Sequence, residues 1–272
     1  MKIHFLGTAA AEGWPGLFCR CEHCRRARTL GGKNIRTRSS AIIDGTIKID
    51  FPPDTYHHVL RDHLDLAAIE HLLITHTHTD HLNAHDLEKR APVLAHGIEH
   101  PLHIYGHDLA LYHIANAVNL KTNRYELHLV HPFQTCQIDE QTRITPLLAD
   151  HDKRGLQTCL LYFIERNGKS LLYGHDSGWF PEETWRWLEG QTFDGAILDC
   201  TNGPLPGRSN HLNIEAVLEM QALFKQKKML RENGKVIATH FSHNGGLLHE
   251  ELEQIFTPHG VIVAYDGLVL QL

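Results

Sequence analysis

No stretch of about 18 consecutive apolar residues occurs in this chain, which excludes the ordinary signature of a membrane-spanning helix. The opening Met1-Lys2-Ile3-His4-Phe5-Leu6-Gly7 turns polar and glycine-bearing too early for the apolar region of a secretory leader, so a cytoplasmic setting is expected. Basic charge is also scarce: 26 Lys and Arg face 32 Asp and Glu, a net charge of −6. That balance disfavours nucleic acid or an anionic membrane as a partner, since both attract basic proteins. Locally the charge reverses, because Arg20, Arg25, Arg26, Arg28, Lys33, Arg36 and Arg38 are opposed only by Glu22. The stretch reads as a solvated basic loop and helix, with a phosphate-attracting rim as the alternative. Six cysteines in a reducing compartment read as thiols or metal ligands rather than disulfides. With no linker, low-complexity tract or short-period repeat, residues 1–272 are expected to form a single domain. A chain of that length can bury about three quarters of its unfolded surface.

Histidine is what the chain has in excess, 24 residues, and imidazole is a common ligand for zinc, iron and manganese. Short β-rich runs recur along the chain. Lys2–Leu6 ends at Gly7, Ala41–Ile49 reads as a hairpin turning at Asp44-Gly45, and His71–Thr75 leads straight into a histidine-rich stretch. Further strands are expected at 102–105, 143–148, 158–164, 170–173, 195–198, 236–238 and 261–265. Helices are expected near 108–118, 182–188, 214–230 and 247–256, the third capped by Asn213. Strands with interspersed helices call for a mixed α/β layered fold.

The strongest motif is His76-x-His78-x-Asp80-His81, placed directly after a strand-like run. Three imidazoles and a carboxylate within six residues form the ligand mix preferred by zinc, manganese or iron. A loop leaving a strand can turn His76 and His78 toward one metal and Asp80 and His81 toward a neighbour about 4 Å away. The motif resembles the hallmark of the metallo-β-lactamase superfamily, which implies an αββα four-layer sandwich. The resemblance runs on through the chain in the family's order. His151 resembles the third ligand of the first metal, Asp176 the bridging carboxylate, and His240 the last ligand of the second metal. Each follows a strand-like run.

Cys19-x-Cys21-x-x-Cys24 is a second motif. Three close thiols suit a structural zinc, which wants a fourth ligand. His243, three residues past His240, is the natural candidate, because one loop would then serve both sites. The combination of this cluster with Thr239-His240-Phe241-Ser242-His243 resembles the phosphoribosyl cyclic phosphodiesterases of the carbon–phosphorus lyase pathway. Phe5–Gly13, Asp199-Cys200-Thr201 and Asn210-His211-Leu212-Asn213 fit the same subgroup, in which His211 matches a histidine that assists catalysis. Three departures stand out: His175 beside Asp176, Ile49-Asp50-Phe51-Pro52-Pro53-Asp54 in place of a glycine turn, and a histidine-rich segment from His96 to His131. None of the three is expected to touch a metal ligand.

The resulting expectation is a phosphodiesterase that hydrolyses a small phosphodiester, cyclic or open, with hydroxide activated by two divalent metals (Mn, Zn or Fe). Asp80 and His211 are the expected catalytic groups, and one structural zinc is expected beside them. A homodimer is the oligomeric form considered. Competing readings are a transfer-RNA 3′-end endonuclease, a cofactor-biosynthesis member of the same superfamily, and a non-catalytic metal-binding or sensing protein.

Overall fold

The structure, a computed structural model, describes residues 1–272. Its strands form two seven-stranded sheets. The first runs, edge to edge, Val269–Gln271 (β14), Lys2–Gly7 (β1), Ser40–Ile43 (β2), Ile47–Ile49 (β3), His71–Leu73 (β4), Leu102–Gly106 (β5) and Tyr125–Leu129 (β6). The second runs Val261–Val263 (β13), Leu230–Thr239 (β12), Phe193–Asp199 (β11), Lys169–Gly174 (β10), Leu160–Arg166 (β9), Thr142–Leu148 (β8) and Cys136–Asp139 (β7). Each sheet pairs antiparallel at one end and parallel at the other; β3 to β6 and β10 to β13 are the parallel runs.

Alternation along the strands gives each sheet two apolar faces. Ile3, Phe5, Ile43, Ile49, Leu73, Tyr162, Tyr173 and Ile237 meet between the sheets. Leu72, Ile104, Ala110 and Ile114 pack helix Asp108–Ala117 on the outside of the first sheet. Leu198, Ala216, Val217, Met220 and Phe224 pack helix Ile214–Gln226 on the outside of the second. Three apolar interfaces between four layers make the expected αββα sandwich. No helix is long and apolar enough to cross a membrane.

Asp44 (φ 47°) and Gly45 (φ 79°) close the predicted hairpin in the left-handed region that a tight turn between twisted strands requires. Asn213 caps its helix by accepting from Ala216 N–H (2.9 Å). That helix stops at Gln226 rather than reaching residue 230, because Lys228 (φ 56°) reverses the chain and Leu230 pairs with Phe193. Helix Glu22–Leu30 falls in the stretch read as a basic loop and helix, whereas helix Thr55–Asp62 and strands β6 and β7 lie where no element was expected. Much of the basic stretch is spent on structure. Arg36 is buried and donates to Thr8 Oγ1 and the Ala264 carbonyl, Arg38 forks onto Asp54, and Arg26 pairs with Glu251.

Candidate metal centre

The parallel strands all run toward one edge of the sandwich, and the loops leaving their C-terminal ends converge there, as they do in open α/β sheets generally. β4 feeds Thr75–Leu82, β8 feeds His151, β10 feeds His175 and Asp176, β11 ends on Asp199, and β12 feeds His240. The two sheets are joined at this edge by Leu160 N–H, which donates to the Thr75 carbonyl (3.0 Å). Asp50, Asp176 and His240, each just beyond a strand, have φ of 58°, 52° and 60°. Asp and His tolerate that left-handed conformation better than most residues, and such positions concentrate at functional sites.

All seven residues expected to hold the two catalytic metals meet here. His76, His78, His151 and Asp176 form one group of facing donor atoms; Asp80, His81, Asp176 and His240 form a second. Within the first, His76 Nε2 and His78 Nδ1 are 3.0 Å apart, and His151 Nε2 is 3.1 Å from the same His78 nitrogen. Asp176 Oδ2 lies 3.1 Å from His76 Nε2, 3.4 Å from His151 Nε2, 3.1 Å from His81 Nε2 and 3.8 Å from His240 Nε2, so one oxygen belongs to both groups. Asp80 Oδ2 is 3.1 Å from His81 Nε2. Donors bound tetrahedrally at about 2.05 Å stand roughly 3.3 Å apart, the spacing seen here.

The nitrogens turned away from this focus are anchored. His81 Nδ1 lies 2.7 Å from Asp50 Oδ2, His76 Nδ1 3.0 Å from Thr75 Oγ1, His151 Nδ1 3.1 Å from the Asn210 carbonyl, and His240 Nδ1 2.8 Å from Thr201 Oγ1. Fixing the outer nitrogen sets the tautomer and aims the inner lone pair, which is how proteins orient metal-binding imidazoles. Asp176 Oδ1 is buried, with His211 Nδ1 3.2 Å away but not aligned for a hydrogen bond. Asp50, Asp80, Asp176 and Asp199 are all buried, a concentration of negative charge that only cations or protons can balance. Protons do so here. Burial opposes charge on His240, yet Asp176, Asp199 and Asp80 lift it to about 10. His81 is likewise raised well above its ordinary value by Asp80 and Asp50 despite its burial. His76, where burial and neighbouring His81 dominate, is pushed down to about 4. The donor set and its charge fit divalent cations.

Sequence reasoning missed Asp50. Besides holding His81, it accepts from Thr75 N–H (2.8 Å) and Thr75 Oγ1 (2.9 Å), so the turn expected to stand apart from the ligands supports one directly. The only signal was the departure itself. His175 also lies against the ligands: its ring centroid is 5.2 Å from that of His81 and 5.6 Å from that of His240, and burial pushes it down to about 3. His211 stands at the side of the centre with Nδ1 3.0 Å from Asp199 Oδ2, which leaves Nε2 for another partner.

The cysteine motif is gathered as well. Cys19, Cys21, Cys24 and His243 present four donor atoms to one point, with His243 Nδ1 3.9 Å from Cys19 Sγ and 3.7 Å from Cys21 Sγ. Backbone N–H groups of Gly16, Cys21 and Cys24 donate to the sulfurs of Cys24, Cys19 and Cys21 respectively. Cys21 also caps helix Glu22–Leu30. Substituting Cys21 with serine is expected to remove one tightly held metal per chain and lower the unfolding midpoint by about 5 °C or more. Elemental analysis and a thermal melt check this, and unchanged metal content would refute it.

Residues 47–241 match the family described as the β-lactamase superfamily domain. Among solved structures, a diphosphatase of the PhnP family is 23% identical with a TM-score of 0.76, covering 100% of this chain and 97% of that one. Zinc-bound PqqB from Methylobacterium extorquens is 18% identical with a TM-score of 0.73, covering 100% of both chains. The short form of human tRNase Z is 18% identical with a TM-score of 0.68, covering 100% of this chain and 99% of that one. No curated protein sequence matches significantly.

Proposed function

Since the chain belongs to the β-lactamase superfamily and is a metal-dependent hydrolase, we propose that it is a phosphodiesterase acting on small phosphodiesters, cyclic ones included. The observation that carries this reading is one carboxylate, Asp176, shared by two groups of converging donors, with an Asp199–His211 pair beside them. His76, His78 and His151 would hold one divalent cation, Asp80, His81 and His240 a second, and Asp176 both. Cations in such a donor set polarise a phosphoryl oxygen and lower the pKa of water toward neutrality.

The chain's own groups supply the rest. Asp80 accepts a hydrogen bond from the attacking water and orients it toward phosphorus, opposite the leaving oxygen. Burial opposes a proton on His211, but Asp199 beside it raises its affinity for one. His211 can therefore deliver a proton from Nε2 to the departing oxygen as the P–O bond breaks. The PhnP-family diphosphatase, with its phosphorus-centred chemistry, supports this choice over other superfamily reactions.

Metal-loaded protein assayed on bis-p-nitrophenyl phosphate, a five-membered cyclic ribose phosphate and a precursor transfer RNA tests the proposal. Turnover of the small diesters with the RNA left intact is expected. Cleavage of the RNA alone, or of none of the three, would overturn it. For His211→Ala, kcat should fall about 10²–10⁴-fold on an alkyl leaving group, the usual worth of a general acid, with KM little changed. It should fall far less on p-nitrophenolate, which departs without a proton. Equal losses on both would make His211 a positioning residue instead.

A further inference from the structure

A group of ligand-type side chains lies away from the centre just described, in the histidine-rich segment that the hydrolase reading leaves unused. β5 and β6 pair in parallel with His103 opposite Glu126 and Tyr105 opposite His128, which puts all four side chains on one face. That face is turned toward the second sheet, at the rim where β6 and β7 are the edge strands. A cavity of about 560 Å³ opens there, lined by His103, Tyr105 and His128 from one sheet and by Cys136 from the other.

His103 Nδ1 and His128 Nε2 face each other at 3.0 Å. Glu126 Oε2 is 3.3 Å from that His103 nitrogen and 4.0 Å from that His128 nitrogen. Three donors on three residues thus point into one small volume, with separations that straddle the roughly 3.3 Å expected around a tetrahedral zinc. The nitrogen spacing equals that between His76 and His78. The rings are braced by stacking: His103 on His71 at 5.5 Å, and His128 on Tyr105 at 4.6 Å.

We propose that His103, Glu126 and His128 form a third metal site, separate from the catalytic and cysteine centres, for a divalent first-row transition cation that favours imidazole. Three protein ligands leave a position open to solvent, so binding is weaker and more exchangeable than at the four-donor cysteine cluster. A bound cation ties the edge strand β6 to β5.

The test is a Zn²⁺ titration of the purified, metal-containing protein against a chromophoric chelator. Wild type is expected to take up one equivalent more than the His103→Ala/His128→Ala double variant, while both turn over bis-p-nitrophenyl phosphate at matching rates. Coincident zinc isotherms would overturn the proposal and leave a plain histidine–histidine hydrogen bond. Should the double variant fail to fold, Glu126→Gln on a half-exposed side chain takes its place. It is expected to weaken the extra equivalent by about tenfold or more, the loss seen even for outer partners of metal ligands. In wild type, zinc should also shift the ring ¹⁵N resonances of His103 and His128. Unmoved resonances, or unchanged affinity in Glu126→Gln, would refute the site.

Discussion

Asp176→Ala is expected to lose at least about a thousandfold in turnover of bis-p-nitrophenyl phosphate, some 4 kcal/mol of transition-state stabilisation. Its Oδ2 sits within 3.8 Å of four imidazoles and is the one oxygen common to both donor groups. Removing it weakens both proposed cation positions at once, whereas removing His78 or Asp80 touches one. Alanine also fits the backbone poorly, since φ at this position is 52° and a Cβ without a polar group gains nothing in the left-handed region. Asp176→Asn is the cleaner companion, because asparagine accepts that conformation while losing the charge. Both variants should keep the far-ultraviolet circular dichroism of the parent and bind less metal. Wild-type turnover in remetallated Asp176→Asn would sink the proposed assignment.

The second large effect is expected from Asp50→Asn, although Asp50 belongs to neither predicted cation position. Its two oxygens accept from Thr75 N–H, Thr75 Oγ1 and His81 Nδ1 in a fully buried setting. An amide presents N–H where one of those donors must be received, so either Thr75 or His81 loses its anchor. Loss of an outer partner of this kind lowers metal affinity about 10–100-fold. The unsatisfied buried donor costs about 1–3 kcal/mol of stability. Chelator competition and denaturant unfolding measure the two separately. Unchanged metal affinity would show that Asp50 serves only the backbone of the Thr75 turn.

What the sequence reveals of this site depends on how far apart in the chain the partners lie. His76, His78, Asp80 and His81 fall within six residues after one strand, so their shared focus is legible from spacing alone. His151, Asp176 and His240 become ligand candidates only through the order of a resembled family, because each is a single residue at a separate strand end. Asp50 shows in the sequence only as part of an unusual turn, with no hint that it supports a ligand. Its role exists because Ile49 pairs with Leu73, a parallel contact that brings residue 50 beside residue 75 and leaves no local pattern. β6 and β7 fail for another reason. Their side chains are mixed in burial at the rim of the sandwich, so neither shows the clean alternation of a half-buried strand. The shortened helix at 214–226 reflects the second sheet, which claims Leu230 as a strand residue opposite Phe193.

The ancestry of the donors across the two sheets has a consequence for assembly. Thr75–Leu82 leaves the first sheet, while His151, Asp176 and His240 leave the second, so neither half of the chain holds a complete cation position on its own. A cation bound tightly only after the sheets have docked adds RT ln(1 + [M]/Kd) to the native state, roughly 4 kcal/mol at a thousandfold excess over Kd. Chelation should therefore loosen the docking of the halves before it disturbs either sheet. The metal supply would then set how long the docked sheets stay together, by slowing their separation, rather than how fast they meet.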